Sequence, residues 1–261
     1  MVEYIVTLLP GSGIGSAILG ILGGLFYLKR NNINSILYVN QYHASVPVNC
    51  FIDYFLDRES ILLLKFIAVN REYKNNDQYK ELFFVNETEN IYHEIQDSMY
   101  FDDIVVLFNN IFILKPVFIN EYNKLINYDI CINIRRGDKI TLESHIPVAK
   151  IELYIEKIEQ LNLNSPTIFH TSDEYGSFLE IKQFRPEWNI NTITSDEETG
   201  YFLSILNTKP VVELYNHVDK FMKQLFLMKN SKYFIGTNST NVGFLVKLLR
   251  NTNENNSNIY L

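Results

Sequence analysis

A charge-free run from Ile5 to Leu28, broken near its start by Pro10, Gly11, Gly13 and Gly15, constrains this chain more than any other feature. An unbroken run of that length, followed as here by Lys29 and Arg30, reads as a membrane anchor. Turn residues in its first half instead divide it into a short apolar strand and a helix, the buried elements of a strand–helix–strand unit. Glu3 to Leu9 is expected as the strand, Ser16 to Leu28 as the helix, and Ser35 to Asn40 as the second strand. Membrane association is the less favoured reading, and no basic segment precedes the run as a signal peptide requires. Six of the 11 glycines precede Leu25 and none lies between Leu25 and Arg136, so the looseness is local and serves the backbone there.

A second unit begins at Tyr128. Ile130, Ile132 and Ile134 alternate with other residues, and the run ends abruptly in Arg135-Arg136-Gly137-Asp138-Lys139, a strand followed by a charged loop. Ile151, Tyr154, Ile155, Ile158 and Leu161 recur at helical spacing, which predicts an amphipathic helix over Val148 to Leu161. Thr167 to His170 reads as the next strand, with Ser172 placed to cap a following helix. Tyr233 to Gly236 is expected as a strand, Thr237 to Asn241 as a polar loop, Val242 to Arg250 as a helix, and Asn251 to Asn258 as a frayed tail. The polar stretch Arg71 to Asn90 is expected as surface loop or short helix, and Asp102 to Tyr128 shows helical apolar spacing. The alternation, split near Asn120 to Tyr128, predicts an α/β fold of two lobes, over residues 1–125 and 126–261.

Composition narrows the function classes. A net charge of −7 with no basic stripe argues against nucleic acid as a partner. Cys50 and Cys131 sit in apolar stretches without metal-ligand spacing, and are expected as buried thiols. No Asp-x-Asp pair is present for a divalent metal, and His43, His93, His145, His170 and His217 are scattered, so no metal site is expected. Neither a GxSxG elbow nor a phosphate-loop lysine after the glycines is present.

In open α/β sheets, ligands bind beyond the carboxyl ends of the strands, so the loops at 10–16, 135–143, 171–175 and 237–241 are where chemistry is expected. Arg135 and Arg136 offer two planar, permanently charged forks that suit a diphosphate, or equally bridge acidic neighbours. Ser239, Thr240 and Asn241 offer donors at a helix start, where an anion or simple capping fits. The sequence GSGIGS lets backbone approach a ligand, but it equally resembles a dinucleotide fingerprint or plain turn chemistry. Glu143 is either a proton acceptor for an attacking hydroxyl or an exposed loop acid. Lys139 lies in the same region, where it can pair with Glu143 or stabilise a leaving diphosphate.

The segment CINIRRGDKITLESHIPVAKIELYI resembles the HxRRxDK region of the GDP-fucose-dependent fucosyltransferases, closest to the α1,6-fucosyltransferase group of core and Nod-factor enzymes. In that group an acid follows four positions after the motif lysine, as Glu143 follows Lys139. GSGIGSAILGIL, TIFHTSDE and YFIGTNSTNVGFLVKLLR are similar to the family's glycine loop, Thr-Asp strand exit and C-terminal strand–loop–helix, so the resemblance runs from about Pro10 to Arg250. It implies two Rossmann-like lobes of GT-B type facing across a cleft, with the donor GDP-fucose held mainly by the C-terminal lobe. It further implies inversion at the anomeric carbon, a glycan acceptor, and no metal or other cofactor.

Carried over, Arg135 meets the diphosphate and Arg136 orders the donor site. Gly11, Gly13 and Gly15 approach the phosphates, while Asp138, Thr171 and Asp173 flank the donor. Ser239, Thr240 and Asn241 complete the nucleotide pocket, and Glu143 with Lys139 serves the acceptor hydroxyl. Asn133 stands where the family often has histidine and Gln224 about where an acidic guanine partner is expected, which leaves another nucleotide sugar open. A nicotinamide oxidoreductase using the glycine loop is the alternative of another class, but Asn40-Gln41 stands where it needs a ribose-binding acid. Asn238-Ser239-Thr240 is a glycosylation sequon inside the proposed donor loop, so cytoplasmic residence is expected.

Overall fold

The computed structural model of the chain describes residues 3–7, 13–40, 54–56, 64–67, 79–82, 100–125, 127–136, 149–200, 209–237, 240–250 and 257–261. It divides into two compact units, Met1–Asn120 with Leu203–Val218, and Glu121–Phe202 with Asp219–Leu261. The first opens with β1 (Glu3–Thr7), α1 (Ile14–Arg30), β2 (Leu37–Asn40), β3 (Phe55–Leu56), β4 (Leu64–Ile67) and β5 (Tyr79–Leu82). Then come α2 (Phe101–Ile111), β6 (Ile113–Leu114) and α3 (Pro116–Tyr122). Strands β4, β2, β1 and β5 form one parallel sheet in that order, and β3 pairs antiparallel with β6.

The broken apolar run therefore folds as a strand–helix–strand unit. Helix α1 is buried on nearly all sides, from Ile14 through Phe26 and Leu28, because the sheet and α2 both pack against it. A helix apolar all round belongs in an interior. Gly24 lets it approach β2: a Cβ there would stand 2.8 Å from Cδ2 of Leu37. Among the described residues no helix is long and apolar enough to cross a membrane.

The second unit holds β7 (Ile130–Ile134), α4 (Ile151–Gln160), β8 (Thr167–Ser172), α5 (Gly176–Phe184) and β9 (Asn189–Thr192). It continues with α6 (Val211–Asn230), whose first residues belong to the other unit, then β10 (Tyr233–Gly236), α7 (Asn241–Arg250) and β11 (Ser257–Tyr260). The five strands are parallel in the order β11-β10-β7-β8-β9. All five residues of β7 are buried, as expected of a central strand covered on both faces. Ile130, Ile132, Ile134, Ile151, Tyr154, Ile155, Ile158 and Ile168 belong to one core cluster.

Three expectations are corrected. The polar stretch Arg71 to Asn90 contains β5, recruited as an edge strand by the apolar β1 beside it. The end of the tail expected to fray, Ser257 and Asn258, begins β11, whose Ser257–Tyr260 ladder onto Tyr233–Gly236, while 251–256 lie outside the described residues. Ser172 does not cap α5, which begins four residues later at Gly176; its hydroxyl accepts the Glu174 N–H at 3.1 Å. Cys131 is a buried free thiol, whereas Cys50 lies outside the described residues.

Arg250 explains why β11 docks where it does. It is 1% exposed, and its guanidinium donates to the carbonyls of Met228 at 2.6 Å, Lys229 at 3.2 Å, Ser231 at 2.7 Å and Lys232 at 3.1 Å. Its Nε donates to Oδ1 of Asn258 at 2.5 Å. One side chain thus closes the C-terminal end of α6, fixes the turn into β10 and fastens β11, satisfying carbonyls that a helix end leaves open. Arg250→Leu should lower stability in urea unfolding by about 3 kcal/mol or more, since several buried acceptors lose their donor together. Arg250→Lys should recover only part of that.

Candidate functional site

The strand order of the second unit reverses between β7 and β10, the topological switch point where open α/β sheets bind ligands. Asn133 pairs with Thr171 and Ile134 with Ser172 across β7 and β8, while Ile235 pairs with Ile132 across β10 and β7. The exits of these three neighbouring strands carry Arg135 and Arg136, Asp173 and Glu174, and Thr237 with Thr240. Of the residues named from sequence, Asn133, Arg135, Arg136, Thr171 and Asp173 share direct contacts. Thr240 and Asn241 sit at the start of α7 after β10, and Gln224 lies on α6. Gly13 and Gly15 open α1 in the first unit. Gly11, Asp138, Lys139, Glu143 and Ser239 lie outside the described residues.

Both arginines are ion-paired to acids of the β8–α5 turn, the alternative that the sequence reading held open. Asp173 bridges them: its Oδ2 takes Nη1 of Arg135, and its Oδ1 accepts the backbone N–H of Arg136 at 2.9 Å. The Arg136 guanidinium is held by Glu180 through two parallel bonds, Nη1 to Oε1 at 2.6 Å and Nη2 to Oε2 at 2.8 Å, and by Glu174 at 2.9 Å. Such a bidentate grip fixes the plane of the fork. Glu180 is held below the usual carboxylate range by its bond to Arg136, and the same contact raises Arg136. Glu174 and Glu180 were missed from sequence as site residues. The available signal was charge complementarity: two arginines leaving one strand need acids at the exit of its parallel neighbour.

Beneath the arginines, Asn133 donates Nδ2–H to Oγ1 of Thr171 at 2.9 Å, and Thr171 donates to the Ile132 carbonyl at 2.9 Å. Tyr154 from α4 donates to the Asn133 carbonyl at 3.0 Å, which fixes the end of β7 against the helix. Two side-chain atoms of residues singled out from sequence, Oδ1 of Asn133 and Nε2 of Gln224, are buried without a partner among the described residues. Gln224 precedes Met228 by one helical turn, and Sδ of Met228 lies 3.9 Å from Oγ1 of Thr171.

At the start of α7, Oγ1 of Thr240 accepts the Gly243 N–H at 3.0 Å and donates to the Thr237 carbonyl at 3.3 Å. The Thr240 hydroxyl therefore caps the helix, and the N–H groups of Asn241 and Val242 take no partner among the described residues. Gly243 is required here, since a Cβ would lie 1.9 Å from the Thr237 carbonyl oxygen. Among the described residues, no group of three or more His, Cys, Asp or Glu side chains is placed to hold a metal ion.

A fully buried histidine supports the acidic turn. His170 Nε2 meets Oγ of Ser177 at 2.9 Å and Nδ1 meets Oγ1 of Thr192 at 3.3 Å, while Ser177 donates to the Glu174 carbonyl at 3.1 Å. Because the Ser177 proton is committed to Glu174, the ring donates through Nε2 and accepts at Nδ1, which assigns a neutral tautomer from the network. Burial, reinforced by the Arg136 charge, pushes His170 down to about 3 from its ordinary 6.5.

No family model and no curated protein matches the sequence. Solved structures do match in three dimensions. NodZ α1,6-fucosyltransferase co-crystallized with GDP gives a TM-score of 0.58 at 12% identity, over 95% of this chain and 93% of that one. Fucosyltransferase NodZ from Bradyrhizobium gives 0.57 at 12%, over 95% and 94%. POFUT1 in complex with GDP-fucose gives 0.54 at 10%, over 99% and 98%. This chain has their fold. At such identity the likeness is one of backbone architecture, and it agrees with the mixed α/β, parallel-sheet class expected from sequence.

Two outcomes follow from the geometry. Gly243→Ala should cost about 2–3 kcal/mol in urea unfolding, because its methyl overpacks against a backbone carbonyl. Between pH 6.5 and about 3 the unfolded chain binds the His170 proton that the folded chain refuses. That contribution is complete above pH 6.5 and is lost as pH falls toward 3, so the urea midpoint should decline over this window. His170→Gln should be less stable at pH 7 and show a shallower decline.

Proposed function

We propose that this chain is an inverting, metal-independent glycosyltransferase that moves fucose from GDP-fucose to a hydroxyl of a glycan acceptor. The observation that carries the reading is the switch point of the second unit. There the β7 exit bears an arginine pair, and the adjacent β10 exit leads into a helix start whose first N–H groups take no partner among the described residues. The helix start favours an anion, and the guanidiniums, already paired to acids, offer directed N–H donors rather than net positive charge. The fold shared with NodZ solved with GDP and with POFUT1 solved with GDP-fucose supports the choice of donor. The buried, unpartnered Oδ1 of Asn133 and Nε2 of Gln224 add an acceptor and a donor in the same unit, each costing about 1–3 kcal/mol until something satisfies it. In this reading the nucleotide does so.

The chemistry is a single displacement. The acceptor oxygen forms a bond to the anomeric carbon of fucose while the bond from that carbon to the β-phosphate oxygen breaks with its electron pair. The hydroxyl proton passes to Glu143, and GDP leaves with the added negative charge. Arg135 and the N–H groups of Asn241 and Val242 stabilise that charge where it develops. Lys139 assists beside Glu143. Residues 1–125 are assigned the acceptor side and residues 126–261 the donor side, with cytoplasmic residence.

In a thermal-shift panel GDP should raise the unfolding midpoint where UDP, CMP and NAD do not, because only a ligand of the native state stabilises it. Transfer from GDP-fucose should persist in EDTA and fall about 10²–10³-fold in Arg135→Ala. A midpoint that responds to UDP and not GDP, or activity abolished by EDTA, overturns the reading.

A further inference from the structure

A guanidinium has two hydrogen-bonding edges, an end-on fork of Nη1 and Nη2 and a side-on edge of Nε and Nη2. In Arg136 the end-on fork is closed by both oxygens of Glu180, and the second Nη1 hydrogen goes to Glu174. Its side-on donors, Nε–H and the remaining Nη2–H, take no partner among the described residues. The Arg136 side chain keeps 15% relative exposure, so it is not sealed in the interior. The backbone of Arg136 is fixed as well, by its N–H to Asp173. Side chain and main chain are thus both braced, with one edge open.

We propose that Glu180 is a positioning residue for the diphosphate: by closing the end-on fork it sets the plane of Arg136 and presents the side-on edge to a phosphate oxygen. This rests on the donor reading above and adds to it a residue that never touches the donor. Charge alone gives the opposite expectation. The cluster holds two guanidiniums and three carboxylates, a net charge of −1, so Glu180 opposes an anion electrostatically. If Glu180 were only a surface counter-charge, neutralising it would strengthen diphosphate binding. As a positioning residue, its loss weakens binding, because the freed guanidinium must be reordered each time a phosphate arrives.

The test is calorimetric titration of GDP and GMP into the full chain, its Glu180→Gln and Arg136→Lys variants, and the double variant, with urea unfolding as a control for folding. Glu180→Gln should weaken GDP about tenfold and GMP less than about twofold, since the missing β-phosphate removes most of what Arg136 can hold. In the Arg136→Lys background, which lacks a two-edged fork, Glu180→Gln should add less than about twofold, the signature of coupled residues. GDP binding that is unchanged or tighter in Glu180→Gln overturns the inference while the donor reading stands. Equal losses for GDP and GMP overturn it too, as a general loosening of the site. An unmodified chain that does not bind GDP overturns both.

Discussion

One carboxylate joins the two central strand exits of the second unit. Asp173, at the end of β8, takes the side chain of Arg135 and the main chain of Arg136, both at the end of β7. Strand pairing brings these residues within reach, because Asn133 is in register with Thr171 and Ile134 with Ser172. The contact fixes where each guanidinium starts, and Glu174 and Glu180 fix where that of Arg136 points. Without the acids, two adjacent like charges on a buried strand end would repel each other and the strand would end less sharply. The arrangement leaves the two guanidiniums paired and directed rather than as loose like charges.

Burial of polar groups follows one logic through the unit. His170 is kept neutral by burial, reinforced by the Arg136 charge, and through Ser177 it holds the turn that carries Glu174. Arg250 is buried with its donors turned to the carbonyls at the end of α6 and the turn beyond it and to Asn258, so the last two residues of the expected frayed tail start an edge strand. Among the described residues, polar atoms are buried without partners at Asn133, whose amide nitrogen bonds Thr171 below the strand exits, at Gln224 on α6 and at the Tyr260 hydroxyl. Such atoms are informative, since unmet burial of a polar group persists only where something offsets it.

The likeness to NodZ and POFUT1 at 10–12% identity illustrates what a parallel sheet demands of a sequence. Its strands need short apolar runs and its helices one apolar side, and many sequences meet those terms. The requirements that are specific are few and lie at strand exits, as with Gly243 against Thr237 or the arginines beside Asp173. Fold therefore persists where overall sequence similarity has faded.

Local chemistry made much of this legible. Pro10 and the glycines after it divide an apolar run that is otherwise long enough to suggest a span, and the 3.6-residue recurrence of Ile151, Tyr154, Ile155 and Ile158 gives a helix whatever surrounds it. Helix α6 was readable by the same rule, from Val218, Met222 and Leu225, and was overlooked. The arginine pair was visible as a pair, but its partners were not, because Glu180 lies 44 residues from Arg136 and only parallel pairing of β7 with β8 closes that distance. Likewise β5 and β11 are too polar to announce themselves; each becomes a strand because a buried neighbour offers it a ladder of backbone hydrogen bonds. Sequence by itself determined the α/β class and the residues at the strand exits, since both depend on side-chain type and spacing along the chain. Tertiary structure decided which acid meets which arginine and which polar segments join a sheet, since those depend on contacts between distant residues that no local pattern encodes.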